Sequence, residues 1–155
     1  MTREEMLEGY DNEHIFIGML TALSNRMQAA GDLFYEEITY KQFFLLICLN
    51  LFRGNSPTIN ELSDVMGSSH QNVKQLVLKL EKNGFVKTHI DSADRRKLRV
   101  SMTDKVNLIH NKYEKSEDEF FRILYQNVSA EELTITANTL AKIEHNIKNM
   151  RGVSK

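Results

Sequence analysis

Apolar side chains first recur at helical spacing from about Asn12 to Ala30, at Ile15, Phe16, Met19, Leu20, Leu23 and Met27, and Gly31-Asp32 is expected to end that helix. Thr39-Tyr-Lys-Gln42 reads as a capping box, in which a hydroxyl and an amide satisfy N–H groups at a helix start reciprocally. The run from Phe43 to Phe52 is apolar on nearly every side, which predicts a buried central helix ending near Arg53-Gly54-Asn55. A second capping box, Thr58-Ile-Asn-Glu61, follows Pro57 and opens a short helix with Ile59, Leu62, Val65 and Met66 on one face. Gly67 supplies a left-handed stop. Ser68 and Ser69 offer the next cap, with Gln71 three residues after Ser68. Val73, Leu76, Val77 and Leu80 then keep helical spacing until Gly84. Two helices of roughly 8 and 14 residues around a Gly-Ser turn make a helix-turn-helix outline.

The period changes at Phe85. Both 85–90 and 97–102 alternate apolar with polar residues, as half-buried strands do, around a polar turn Asp91-Ser-Ala-Asp-Arg-Arg96. This predicts a β-hairpin. Thr103 caps a further helix, with Val106, Ile109, Tyr113, Phe120 and Leu124 as its buried stripe to about Gln126. Ser129-Ala-Glu-Glu132 is the last capping box. The helix it opens carries Leu133, Leu140 and Ile147 on one heptad track and Thr136, Ile143 and Met150 on another, the pattern of packing on a partner helix.

Composition narrows the class. The 155 residues suit one domain with extensions, and 41% apolar with 26% charged residues permits a core. One proline and seven glycines are few for a β-rich chain, so a mostly helical protein with a small hairpin is expected. Cys48 alone allows neither a disulfide framework nor a cysteine zinc cluster. A polar, acidic opening segment and the lack of a long apolar run argue against a signal peptide or membrane span, and a cytoplasmic location is expected. Gly-rich phosphate loops, Gly-x-Ser-x-Gly and His-Glu-x-x-His are missing, so no enzyme is expected, and no cofactor.

Net charge of −1 hides an asymmetry. Residues 51–105 hold ten basic and six acidic side chains, a net +4, against ten and fifteen elsewhere, a net −5. A basic middle between acidic ends suits a polyanionic partner. The second helix of the helix-turn-helix turns Ser69, His70, Gln71, Asn72, Lys74 and Gln75 away from its apolar face. Gln and Asn can bond adenine bidentately in a major groove, and Lys can reach guanine or phosphate. Arg95, Arg96, Lys97 and Arg99 place four charges within five positions of the hairpin. They repel one another unless a polyanion neutralises them, and a narrow minor groove attracts Arg. Asp94 beside them can hold a guanidinium in fork geometry.

These residues resemble the MarR-type (multiple-antibiotic-resistance regulator) winged helix-turn-helix transcription factors. The likeness runs from Ile38-Thr39-Tyr-Lys-Gln42 through Thr58-Ile-Asn-Glu-Leu62 and Val73–Val86 to Asp91-Ser-Ala-Asp94-Arg95-Arg96 and Val100-Ser-Met-Thr103. The resemblance implies a winged helix-turn-helix lobe at 37–103, an N-terminal dimerisation helix within 1–36 and C-terminal dimerisation helices in 104–155. It also implies that Arg96 enters the minor groove with Asp94 orienting it. Two positions depart from the family: Thr88 stands where an Arg is frequent, and Asp104-Lys-Val follows Thr103 without the usual glycine.

The expected function is a double-stranded-DNA-binding regulator, a repressor, acting as a homodimer on a pseudo-palindromic operator and released by a small-molecule effector. Its expected DNA contacts are Ser68, Ser69, His70, Gln71, Asn72, Lys74, Gln75, Lys79, Asp94, Arg95, Arg96 and Lys97. The competing reading is a winged-helix protein-interaction module without specific DNA binding. Dimerisation follows from the same physics, because one winged helix makes too few base contacts for a specific site. The terminal apolar tracks can alternatively pack on the chain's own core. Family members respond to phenolic ligands, oxidants or metals. Here Cys48 reads as an inert buried thiol, and His14, His70, His89, His110 and His145 show no paired ligand spacing, so no metal site is expected. Phe16, Tyr40, Phe43 and Phe44 are read as core before pocket.

Overall fold

A computed structural model describes Thr2 and residues 7–153. The opening segment read above lies partly outside the described residues, as do the last two positions of 104–155. Two compact units divide after Val106. In the first, α1 (Asn12–Phe34), α2 (Tyr40–Leu51), α3 (Ile59–Met66) and α4 (His70–Lys82) precede β1 (Val86–Ile90) and β2 (Leu98–Met102). α5 (Lys105–Leu124) crosses into the second, which holds α6 (Ala130–Val153). Among the described residues no helix is long and apolar enough to cross a membrane.

Local signals set most helix starts. The Thr39/Gln42 and Thr58/Glu61 capping boxes are both formed, and Gly67 closes α3 at φ 59°. Ser69 rather than Ser68 caps α4, its hydroxyl accepting the Asn72 N–H at 3.2 Å. The Ser129 N–H and hydroxyl both donate to Glu132, completing the third box before α6.

Three expectations change. α1 does not stop at Gly31-Asp32 but continues to Phe34. Gly31 is buried, and a Cβ there would overlap the Tyr40 ring, so the glycine serves close packing of α1 on α2. Asp32 accepts the Tyr40 N–H at 2.8 Å, satisfying an orphan donor of the next helix. Second, α2 is not buried all round: Leu45, Leu46, Cys48 and Leu49 face the core, while Phe44, Ile47 and Leu51 are exposed. It packs on α1, α3, α4 and β2 from one side only. Third, Val65 is exposed, because Ile59 and Leu62 already fill the inward face of the short α3.

The lobe's core joins Leu45, Leu62, Val73, Val77, Leu80, Phe85, Val86 and Val100, each at most 2% exposed. Burying an aliphatic or aromatic side chain of this size stabilises the fold by ~1.5–3 kcal/mol. The antiparallel hairpin runs in register from Val86 opposite Met102 to Ile90 opposite Leu98. Val100 also donates its N–H to the Pro57 carbonyl at 2.9 Å, and Thr58 bridges Arg99, so β2 is fastened to the entry of α3.

In α5, Ile109 is buried while Tyr113, Phe120 and Leu124 are only half-buried, so the expected stripe is incompletely covered within one chain. In α6, Leu133, Ile147 and Met150 are exposed, and Leu140 and Ile143 half-buried.

Candidate nucleic-acid interface

Helix α4 turns Val73, Val77 and Leu80 inward. Helical geometry therefore sets Gln71 and Gln75 on the opposite face, together with Leu78, which is 46% exposed. Leu78 was not among the expected contacts. The signal was present, since it falls outside the three-and-four spacing that Val73, Leu76, Val77 and Leu80 keep. The other expected contacts separate onto two flanks. His70 and Lys74 face the wing, sharing a cleft with Arg96 and Lys97. Ser68, Asn72 and Lys79 border a groove of about 580 Å³ with Tyr40, Lys41 and Phe44, and Gln75 lines this groove as well.

The wing tip is ordered by two carboxylates. Asp91, buried at 6% exposure, accepts the N–H groups of Ala93 and Asp94 at 2.8 and 2.7 Å, and its other oxygen takes the Arg99 Nε–H. The Asp94 N–H, then the Arg99 guanidinium, pull the Asp91 carboxyl down to about 2. Arg99 also donates to the Ser56 carbonyl at 2.7 Å. Arg99 is thus turned inward as a tie, and the outward charge of the tip reduces to Arg95, Arg96 and Lys97.

Asp94 holds Arg96 as a fork. Its Oδ1 accepts the Arg96 N–H and Nε–H, both at 3.1 Å, and its Oδ2 accepts the Nη2–H at 3.3 Å. The same guanidinium, followed by the Arg96 backbone N–H, lowers the Asp94 pKa. Lys97 lies 3.8 Å from the second oxygen. The Arg96 side chain remains 90% exposed. An exposed ion pair contributes little to stability. What this one supplies is a fixed direction for a planar cation that points away from the fold.

Thr88 has its backbone N–H and its hydroxyl on Glu81. Thr103 hydrogen-bonds the Gly84 carbonyl at 2.6 Å, while Lys105 reaches the Asn83 carbonyl at 2.8 Å and lies over the Phe85 ring. Side chains thereby fasten the start of α5 to the turn between α4 and β1.

The remaining candidates are placed as follows. Phe43 packs on Tyr35 with ring centroids 4.9 Å apart, whereas Tyr40 and Phe44 line the groove. Cys48 is buried, and desolvation pushes its thiol pKa up, away from a reactive thiolate. His14 bonds Asp11 at 2.7 Å, and His110 lies 3.7 Å from Glu117. Among the described residues no three metal-ligating side chains converge.

A helix-turn-helix followed by an arginine-tipped hairpin is a winged helix, and residues 38–98 match the model of the MarR family. That family is one of transcriptional regulators, not of enzymes. A Bacillus subtilis (strain 168) relative, the uncharacterized HTH-type transcriptional regulator YsmB, is 28% identical over 98 residues, 63% of this chain and 67% of that one. The MarR protein from Peptoclostridium difficile is similar in structure, with a TM-score of 0.76 at 21% identity over 96% of this chain and 95% of that one. A mutant MarR from E. coli complexed with operator DNA gives 0.69 at 20% identity, over 85% and 96%. At such identities the structural likeness speaks for the fold, and the matched lobe includes α4 and the wing tip.

Proposed function

We propose that this chain is a sequence-specific, double-stranded-DNA-binding transcriptional regulator that acts as a homodimer in the cytoplasm. The observation that carries the proposal is the pairing of a polar, outward α4 face with the exposed Asp94–Arg96 fork on the neighbouring hairpin. α4 enters the major groove, with Gln71 and Gln75 bonding base edges. Leu78 is suited to a thymine methyl. Ser68, Ser69, His70, Asn72, Lys74, Lys79, Arg95 and Lys97 contact backbone or flanking bases, and Arg96 enters the adjacent minor groove with Asp94 holding its plane. The mutant E. coli MarR that shares this fold is complexed with operator DNA, which supports the reading.

The exposed apolar residues of α6 support dimerisation through 1–36 and 104–155, as Leu133, Ile147 and Met150 would otherwise stay in water. A twofold pair reads half-sites ~34–36 Å apart, hence a pseudo-palindromic operator. The regulator is a repressor whose release follows from an effector preferring a dimer with mismatched reading heads. The groove of about 580 Å³ beside α4 has the size of a small-molecule site. Tyr40 and Phe44 offer it aromatic walls and Lys41 and Lys79 positive charge, which favours an anionic aromatic effector.

Selection of bound duplexes from random sequence, followed by a salt titration, tests the proposal. Affinity should fall steeply with salt, at ~0.9 log units per log unit for each neutralised phosphate, and the recovered sites should be inverted repeats. Failure to recover any preferred duplex would leave a protein-interaction module as the reading.

A further inference from the structure

A second, smaller cleft of about 140 Å³ opens between α4 and the wing. His70 and Lys74 line it from α4, Arg96 and Lys97 from the wing, and Thr58 and Asn60 from the entry of α3. Pockets for drug-sized ligands begin near ~300 Å³, so this cleft is too small for an effector. It has room for one tetrahedral anion.

Its charge is one-sided. Three lining groups are Lys or Arg, and the fourth is a histidine, the side chain type whose charge changes between about pH 5 and 8. The nearest carboxylates are already engaged. From the wing, Asp94 holds Arg96 and Lys97; at α3, Glu61 accepts both the Thr58 N–H and hydroxyl, at 2.6 and 2.9 Å.

Position selects the anion. Resting on the DNA-binding reading above, α4 lies in a major groove and Arg96 in the next minor groove. The strand separating two adjacent grooves must then pass between helix and wing, over this cleft. We propose that the cleft is the seat of one backbone phosphodiester of the bound duplex, and that protonated His70 is one of the groups that grips it. Lys74 and Lys97 supply constant charge, Asn60 a neutral donor, and His70 a charge that comes and goes. DNA binding then takes up a proton, and affinity rises as pH falls. Because phosphate contacts carry no base information, the pH effect acts on matched and mismatched duplexes alike.

The test is fluorescence anisotropy on the tightest duplex recovered by selection, from about pH 8 to about pH 5.5 at fixed ionic strength. The unchanged protein should gain roughly tenfold in affinity across that range, and His70→Gln should lose this gain while melting at the same temperature. At the acidic end the salt slope of His70→Gln should be shallower by ~0.9 for each half-site, ~1.8 for the dimer, and at the alkaline end the slopes should coincide. Lys74→Gln should bind more weakly at both ends and keep the pH-dependent gain. A duplex with a neutral methylphosphonate at the spanning position of each half-site should abolish the gain for the unchanged protein. Parallel pH curves for the unchanged protein and His70→Gln would overturn this proposal alone. Recovery of no duplex at any pH would overturn the DNA-binding reading beneath it.

Discussion

The Glu81 carboxylate, in the last turn of α4, accepts two hydrogen bonds from Thr88 on β1: the backbone N–H at 2.6 Å and the hydroxyl at 2.8 Å. One oxygen thereby sets the angle between the helix proposed to read bases and the ribbon proposed to enter the neighbouring groove.

Thr88→Val keeps the β-branched shape and the backbone donor but removes the hydroxyl. Loss of a hydrogen bond to a carboxylate should cost ~1–2 kcal/mol. Chemical denaturation should show a lower midpoint with an unchanged m-value, and a midpoint equal to that of the parent would dismiss that contribution.

Arg96→Ala should weaken binding to a selected duplex by ~1–3 kcal/mol with no loss of melting temperature, because the side chain is 90% exposed and its ion pair contributes little to the fold. Anisotropy and a thermal melt on the same sample separate the two effects. Equal affinity of variant and parent would remove the wing from the binding mechanism.

Asp91→Asn should lower the melting temperature by several degrees near neutral pH, since the carboxylate collects two N–H groups and the Arg99 guanidinium. Its folded pKa is depressed to about 2 from an ordinary value near 3.8. A depressed carboxyl contributes stability that is complete above the unfolded pKa and disappears as pH falls through the folded one. The gap between parent and variant should therefore hold from neutrality to about pH 4 and close toward about pH 2. A gap that persists unchanged at the acidic end would assign the effect to packing.

Gly31→Ala inverts the usual propensity argument. Alanine is favoured over glycine in a helix interior by ~1 kcal/mol, yet here its Cβ would overlap the Tyr40 ring. Overpacking costs ~1–3 kcal/mol, so the variant should melt lower than the parent, and Gly31→Ala with Tyr40→Leu should recover part of the loss. A higher melting temperature for the single variant would show that α1 and α2 adjust without cost.

Helix starts, the left-handed stop at Gly67, the hairpin and the Asp94–Arg96 fork were legible in the chain because each depends on residues within a few positions of one another. A hydroxyl and a carboxylate three residues apart, or a carboxylate and a guanidinium two apart, meet by local geometry alone. Only the packed fold decided the rest. Arg99 reads locally as one more wing cation, but the carbonyl it bonds is Ser56, 43 positions away. Gly31 reads as a stop until the Tyr40 ring is set against it, and Glu81 and Thr88 become partners only when α4 and β1 cross at their actual angle. The division of α4 into a flank beside the groove and a flank beside the wing is of the same kind. Periodicity records which side of an element avoids water, whereas the identity of what lies across from it is fixed by how elements separated along the chain come to pack.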